Sequence, residues 1–345
     1  MLISVCIPAY NRAALLPSLL DSIFEQDYQD FELVIAEDMS PEREAIAAVA
    51  SDYAERYPGQ VVYGENATNK GYDGNLRRLI ELARGEYVLF MGNDDLMAPG
   101  ALRAVAEAIQ THPRVGVVLR SYASFNTTPD ELEQTFRYFD KDSFFPSGAT
   151  TITTFFRRCV FISGMVVRRK SALAFSTDRF DGTLLYQQHL VGQILANENG
   201  VYLTQILTYH RLGGTPDFGN SAVEKGRFVP REQNPESSVH FMRGMLTIAM
   251  AVEQSTELPV YRPILRDIGN YSYPILSIQA ERPGIVFVGY AYALARMGLW
   301  RAPLFHVYAL GLLLLGRNMC DRLISMIKKH LGRAPKIGRL YSGQT

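Results

Sequence analysis

Two adjacent carboxylates, Asp94 and Asp95, follow a short apolar run, Tyr87 to Met91, after Gly92 and Asn93. The run predicts a buried strand. Two neighbouring acids at a strand end repel each other and lose part of their hydration. A bound cation offsets both of these unfavourable effects. Oxygen ligands of this kind suit Mg²⁺ or Mn²⁺ together with substrate phosphates. We therefore expect a metal–diphosphate site here, and the alternative is a plain strand-to-loop turn.

The elements that must position this site alternate along the first third of the chain. Strand-like runs cover Leu2 to Pro8 and Phe31 to Ala36, and an apolar-periodic helix is predicted between them, over Leu15 to Phe24. Each strand ends in polar residues, which is typical of a parallel α/β sheet. Ligands of such sheets bind outside the carboxyl ends of the strands. The sequence thus predicts one site, built from several strand ends.

Five short motifs occur in one order over about 95 residues, and together they resemble the family-2 glycosyltransferases of the GT-A fold. They are Pro8-Ala9-Tyr10-Asn11-Arg12, Glu37-Asp38 with Ser40, Asn69-x-Gly71-x-x-x-Asn75, Ala83-x-Gly85-Glu86-Tyr87 and Asn93-Asp94-Asp95. The resemblance implies an α/β fold of the GT-A type: a mostly parallel sheet flanked by helices, with a helical C-terminal region. It also implies transfer of a sugar from a nucleoside diphosphate sugar, with UDP as the default nucleotide.

The resemblance also implies roles for single residues. Asp38 would accept a hydrogen bond from the nucleotide base, although an acid after a strand can also cap a loop. Asp95 would ligate Mg²⁺ or Mn²⁺, and His210, in a closing segment with Arg211, would be a further ligand unless it faces solvent. Asn93 stands where many members have aspartate, which weakens the metal site. The implied nucleotide-binding residues are Pro8, Tyr10, Arg12, Asp38, Lys70, Asn75, Asn93, Asp94 and Arg211.

The catalytic base is where the chain departs most from the resembled family. The acid pair expected at a helix start appears as Gln187-Gln188, and glutamine accepts no proton at neutral pH. Asp181 and His189 are the nearby groups that could do so, and we predict them as catalytic residues. The alternatives are structural roles: Asp181 would form part of a turn, and His189 would be a partly buried histidine of a helix. The altered segment resembles abequosyltransferases, which hints at a deoxysugar donor.

Composition limits the function classes further. The 345 residues carry zero formal net charge, which argues against nucleic-acid binding, and the three cysteines are far apart. No signal-peptide pattern precedes the first strand, so we expect a cytoplasmic protein. We predict a catalytic domain at 1–215, a linker at 216–238 and a helical region at 239–345.

The helical region has a sequence pattern that is typical of membrane-attached segments. Two apolar runs, 285–295 and 303–315, fall short of the roughly 20 residues that span a bilayer. From Arg317 to Arg339, seven basic residues face one acid, a net charge of +6. This pattern predicts peripheral attachment to the inner face of the membrane, and the alternative is a helical bundle at an intramolecular or homo-oligomer interface.

These observations together predict an inverting glycosyltransferase of surface-polysaccharide synthesis that uses a lipid-linked or polysaccharide acceptor. A nucleotidyltransferase shares the α/β core but is disfavoured, because no Gly-rich triphosphate loop with a lysine follows the first strand. A non-catalytic nucleotide-sugar-binding or membrane scaffold subunit is the alternative from another class, and Gln187-Gln188 supports it.

Overall fold

The strands and helices alternate as the sequence predicts. The computed structural model describes residues 1–214 and 216–331. Its strands are β1 (Ile3–Ala9), β2 (Phe31–Glu37), β3 (Val61–Glu65), β4 (Tyr87–Phe90), β5 (Leu96–Met97), β6 (Val115–Phe125), β7 (Leu132–Phe136), β8 (Ser143–Phe145), β9 (Met165–Arg168) and β10 (Asn199–Arg211). Its helices are α1 (Leu16–Phe24), α2 (Arg43–Arg56), α3 (Gly71–Leu82), α4 (Ala101–Thr111), α5 (Ala149–Phe156), α6 (Arg169–Ala174), α7 (Tyr186–Ile194), α8 (Pro235–Thr256), α9 (Tyr261–Asn270), α10 (Tyr273–Ser277), α11 (Gly284–Arg296) and α12 (Pro303–Leu331).

One sheet runs through the α/β part in the order β3-β2-β1-β4-β9-β6-β10-β5. Strands β1, β2, β3 and β4 pair in parallel, and so do β6 and β10, whereas β9 runs antiparallel between β4 and β6. The central parallel strands β1, β2 and β4 are mainly apolar and buried because both faces of the sheet are covered. The carboxyl ends of β1, β2 and β4 therefore meet at one edge, as expected for an α/β fold of the GT-A type.

Two hydrophobic cores lie on opposite faces of the sheet. Helices α1, α2 and α4 cover one face, and α3, α5 and α7 cover the other. The turn into β4 needs a glycine, because a Cβ at Gly85 would lie 2.8 Å from the backbone oxygen of Leu2 and the backbone nitrogen of Ser4. That close approach sets β4 beside β1 and so aims Asn93, Asp94 and Asp95 at the shared strand edge.

The C-terminal helices pack on the α/β part rather than apart from it. Buried side chains of α8 join the same core as those of α7, and α9, α11 and α12 extend that core. Helix α12 is interrupted at Gly316, whose φ is 75°. Within the part of the chain that the structure describes, none of the helices combines the length and hydrophobicity that crossing a bilayer requires. The division at 215 and 238 stays a prediction, and residues 332–345 lie outside the described residues.

Candidate active site

A cavity of about 320 Å³ lies at the edge where the parallel strands end. Most of the predicted binding residues line it: Pro8, Tyr10, Arg12, Asp38, Asn75, Asn93, Asp94, Asp95 and His210. Lys70 and Arg211 are not in its lining, and both contribute through neighbouring contacts described below. A cavity of this volume, with convergent polar groups at strand ends, has the form of a small-ligand site.

Asp38 anchors one end of the cavity. It is 3% exposed, and its Oδ1 accepts hydrogen bonds from Asn66 Nδ2 and from the Lys70 backbone nitrogen, both at 2.8 Å. Asn75 holds the same group in place, because it accepts from Asn66 Nδ2 and donates to the Ala36 carbonyl. Burial raises the pKa of Asp38 to about 6, against the effect of these hydrogen bonds. This carboxyl therefore titrates close to neutral pH.

Arg12 lines the cavity beside the acidic motif Asn93-Asp94-Asp95. Its Nη1 lies 2.7 Å from Asp94 Oδ2 and 3.4 Å from Asn93 Oδ1. Asn93 in turn donates to the Asn11 carbonyl at 3.0 Å. Asn11 and Arg12 have φ of 53° and 62°, a left-handed backbone that non-glycine residues adopt at a cost. These bonds hold the strained turn after β1 in one position beside the acids.

Asp95 is the most closely held acid of the motif. It is 2% exposed, and its Oδ1 accepts from His210 Nδ1 at 2.9 Å and from the Arg211 backbone nitrogen at 3.1 Å. The Ser163 hydroxyl donates to Oδ2. The bond to Asp95 raises the pKa of His210, whereas burial and the charge of Asp95 raise the pKa of Asp94. The end of β10 is thus tied to the end of β4.

Asp95 is a carboxylate ligand of the kind that Mg²⁺ and Mn²⁺ prefer, whereas the imidazole of His210 beside it is not a preferred ligand of Mg²⁺. Among the residues that the structure describes, no group of three or more acidic, histidine or cysteine side chains converges on one point. Asp95 and His210 nevertheless meet at the cavity wall. Mg²⁺ sites commonly use one or two protein carboxylates and take their other ligands from water and substrate phosphates. The pair therefore suits a cation that arrives with a diphosphate.

Residues 216–234, most of the predicted linker, form a segment that covers the cavity, and we call it the covering segment. Asp217, Phe218 and Glu224 all line it. Glu224 is 3% exposed and accepts hydrogen bonds from the backbone nitrogens of Tyr72 and Gly219. Asp217 accepts from Asn11 Nδ2 at 3.1 Å. These bonds fasten the segment to α3 and to the turn after β1, so the cavity has a wall that the motifs do not predict.

The structure does not bring Asp181 and His189 to this cavity. Asp181 forms a bidentate ion pair with Arg77, with both N–O distances 2.7 Å. The ring of His189 is buried, its Nε2 lies 2.9 Å from the Phe175 carbonyl, and burial lowers its pKa. Leu184 is the residue of this segment that reaches the cavity. The catalytic role predicted for the two residues therefore finds no support in the geometry.

Sequence reasoning missed the groups that support the acids. Arg120 is fully buried beneath the site and donates to the carbonyls of Phe161 and Ser163. Asp73, 1% exposed, accepts four backbone N–H groups from residues 182–186 and so fixes the loop that carries Leu184. Single residues on separate elements carry no motif. Of these residues, only Ser163 stands out in the sequence, because it is a polar residue that interrupts the apolar run from Val160 to Val167.

Comparison with known proteins assigns the first half of the chain to a sequence family. Residues 4–174 match the family described as "Glycosyl transferase family 2". This segment is a family-2 glycosyltransferase domain. The matched segment contains the Asn93-Asp94-Asp95 motif and Ser163. It ends in α6, before His210 and the covering segment.

Named relatives share only part of their length with this chain. The abequosyltransferase RfbV of Salmonella typhimurium is 32% identical over 102 residues, 30% of this chain and 31% of the relative. The amylovoran biosynthesis glycosyltransferase AmsB of Erwinia amylovora is 39% identical over 95 residues, 27% of this chain and 30% of the relative. The crystal structure of S. aureus TarS 1-349 in complex with UDP-GlcNAc has a TM-score of 0.55 at 17% identity, covering 96% of this chain and 93% of TarS. The domain therefore shares sequence with named glycosyltransferases and shares its fold with TarS.

Proposed function

We propose that this protein transfers a sugar from a nucleoside diphosphate sugar to an acceptor hydroxyl in surface-polysaccharide synthesis. The observation that carries the proposal is the meeting of Asp38, Arg12 and the Asp94–Asp95–His210 group in one cavity of a family-2 domain. Asp38 suits the nucleotide base, Arg12 suits the diphosphate, and the Asp94–Asp95–His210 group suits the cation that accompanies the diphosphate. UDP is the nucleotide we expect, and the relation to an abequosyltransferase favours a deoxysugar.

In the proposed reaction the acceptor oxygen forms a bond to the anomeric carbon of the sugar. The bond from that carbon to the diphosphate oxygen breaks, its electron pair stays on the diphosphate, and the acceptor proton passes to a base. Attack from the face opposite the leaving group inverts the anomeric centre. The departing diphosphate gains charge, which fixed donors must stabilise. Arg12, 25% exposed at the cavity, is placed to do so once substrate competes with Asp94 for it.

Asp95 and His210 would hold the divalent cation, Mg²⁺ or Mn²⁺. When bound, the cation would neutralise charge that develops on the diphosphate. Ser163 and the Arg211 backbone nitrogen orient Asp95 through its two oxygens, so a hydrogen bond fixes each oxygen before any ligand arrives. Arg211 also donates from Nε to the Asp94 carbonyl at 3.2 Å, which ties this end of β10 to the acidic motif.

The acceptor we propose is lipid-linked and is used at the inner face of the cell membrane. Large apolar side chains on α11 and α12 are exposed, among them Ile285 at 83%, Leu314 at 70% and Val307 at 61%. Exposed apolar patches of this kind mark interaction surfaces. The last part of the predicted basic segment, from Arg333 to Arg339, lies outside the described residues. The same apolar face would serve a homo-oligomer if no membrane covers it.

A non-catalytic nucleotide-sugar-binding subunit is the second candidate. It is favoured by Gln187 and Gln188, which are buried and donate to the backbone carbonyls of Val160 and Phe156. No carboxylate at the start of α7 lines the cavity. Both candidates bind nucleotide sugars, and only the first turns them over.

A thermal-shift panel tests the shared part of the proposal. The purified chain is heated with UDP, GDP and their sugars, each with and without Mn²⁺. A ligand that binds the folded state alone raises the melting temperature. We expect at least one nucleotide sugar to stabilise the protein and Mn²⁺ to enlarge the shift. If no nucleotide sugar changes the melting temperature, the cavity does not bind this class of ligand.

A further inference from the structure

A second cavity, of about 390 Å³, adjoins the first. Its walls come from the covering segment, from α8, and from α9, α10 and α11. Five residues line both cavities: Val160, Leu184, Pro216, Phe218 and Phe241. A single layer of apolar side chains therefore separates the nucleotide-sugar cavity from the second one, which we call the apolar cavity.

The apolar cavity offers little to a polar ligand. Its charged side chains are already paired: Arg157 with Asp267 at 2.8 Å, and Glu232 with Arg282 at 3.4 Å. The Tyr290 hydroxyl donates to the Ile275 carbonyl at 3.1 Å. The remaining surface is mainly large apolar side chains, among them Met242, Met245 and Ile268, each at most 4% exposed. A ligand that fills this space gains mostly from burying apolar area.

The position of the apolar cavity indicates which ligand it binds. The covering segment closes the cavity wall near Asp38, where Glu224 and Asp217 are bonded to α3 and to the turn after β1. An acceptor must still bring a hydroxyl to the sugar, and the apolar cavity borders that site through Leu184 and Phe241. At its outer wall, Val229 and Ile278 are each 44% exposed, so the cavity reaches the surface. The exposed apolar helix α11 begins six residues after Ile278.

We propose that the apolar cavity binds the hydrocarbon chain of the acceptor, with the acceptor hydroxyl directed through the shared wall to the sugar. This inference rests on the proposed function and names the part of the acceptor that the protein recognises by burial. The occupant is a single alkyl or isoprenoid chain. A chain that lies there extends past Ile278 toward the exposed face of α11.

Neutral alkyl β-glucosides test the proposal, because they place a hydroxyl-bearing head on chains of graded length. Binding of butyl, hexyl and octyl glucosides to the full chain is measured by calorimetry below their micelle concentrations. Each methylene that enters the cavity should tighten binding by about fourfold. We expect at least a tenfold gain from butyl to octyl. Equal affinity for the three chains would overturn the proposal.

Matched variants locate the chain. Ile278→Asp adds a charge at the outer wall, and Val229→Trp narrows it without a charge; both sites are half-exposed, so the fold should tolerate the changes. Each should weaken octyl glucoside binding at least fivefold. Leu314→Asp on α12 and Leu173→Asp on α6 carry equivalent changes outside the cavity and should bind as wild type does. If Leu314→Asp weakens binding as much as Ile278→Asp does, the chain lies on the helix face and the proposal is wrong.

UDP and UDP-sugar binding to the same proteins separates this inference from the proposed function. We expect all four variants to bind nucleotide as wild type does, since none of the four residues lines the nucleotide cavity. Nucleotide binding without chain-length dependence overturns the apolar-cavity inference alone. Absence of nucleotide binding in every protein, wild type included, instead overturns the proposed function.

Discussion

Replacing Asp38 by asparagine should separate the effect of its charge on nucleotide binding from its effect on stability. The carboxyl is buried against Asn66 and the Lys70 backbone, and its pKa is about 6. About nine tenths of it is ionised at pH 7 and about one tenth at pH 5. If the nucleotide base binds only the ionised form, the apparent Kd scales inversely with that fraction. Wild-type affinity for a nucleotide sugar should therefore fall about tenfold from pH 7 to pH 5.

In Asp38→Asn the charge is absent at every pH. A hydrogen bond to a charged group is worth about 1.5–3 kcal/mol, so affinity at pH 7 should fall by about tenfold or more. The tenfold contribution of Asp38 to the pH dependence should disappear, and any dependence that stays belongs to other groups of the cavity such as His210, whose pKa the bond to Asp95 raises. Calorimetry with a nucleotide sugar measures both, because its diphosphate carries no group that titrates in this range. Asp52→Asn, on the exposed face of α2, is the matched control and should keep the wild-type profile.

The same substitution should stabilise the protein without ligand. A carboxyl whose pKa rises on folding binds its proton more tightly in the folded state, so its contribution to stability is largest at low pH and is lost as pH rises through about 6. The shift from 3.8 to about 6 costs the fold roughly 3 kcal/mol at neutral pH. Asp38→Asn should therefore melt at a higher temperature than wild type at pH 7. Wild-type affinity at pH 7 in this variant, or a pH profile that is unchanged, would refute the reasoning.

Three further outcomes follow from the structure. Asp181→Asn should lower the free energy of unfolding by on the order of 2 kcal/mol, because Arg77 loses its ion-pair partner, and should leave turnover within about threefold of wild type. A hundredfold loss of turnover at unchanged stability would instead establish Asp181 as the catalytic base. Ser163→Ala should raise the Mn²⁺ concentration for half-maximal activity by about tenfold, since the hydroxyl orients Asp95, whereas the exposed-loop variant Ser147→Ala should not; equal metal dependence would remove Ser163 from the site. The full chain should float with anionic vesicles and should be released from them by salt plus detergent, and Leu314→Asp should weaken flotation. If the wild-type protein stays in solution with both anionic and neutral vesicles, α11 and α12 belong to a protein interface.

The sequence predicts well where the strand-end residues lie, because their placement depends on short local motifs. The strands predicted over Leu2 to Pro8 and Phe31 to Ala36 appear as β1 and β2, and the fold class is confirmed. Asp38, Asp94 and Asp95 converge since parallel strands place their carboxyl ends at one edge. His210 arrives beside Asp95 because β10 runs parallel to β6 and ends at the same edge.

What the sequence does not predict depends on long-range packing. Nothing local indicates that Asp181 lies against Arg77, 104 residues away, or that Asp73 holds the loop before α7. The segment at Glu224 reads as a polar linker, yet its carboxylate bonds to the Tyr72 backbone, 152 residues away. Pairings of this kind are set by the tertiary fold and not by propensity.

Release of nucleoside diphosphate from a nucleotide sugar by the purified chain, with Mn²⁺ and with EDTA, tests the central claim most directly. Wild type should release nucleoside diphosphate slowly with water as acceptor, and Mn²⁺ should accelerate the release. Asp95→Asn should lose turnover by at least about a hundredfold while the protein keeps a cooperative melting transition, because the amide relieves the repulsion with Asp94 but weakens the bonds from His210 and Ser163. Mn²⁺-independent release, or a wild-type rate in Asp95→Asn, would contradict a metal-assisted glycosyltransferase centred on this acid.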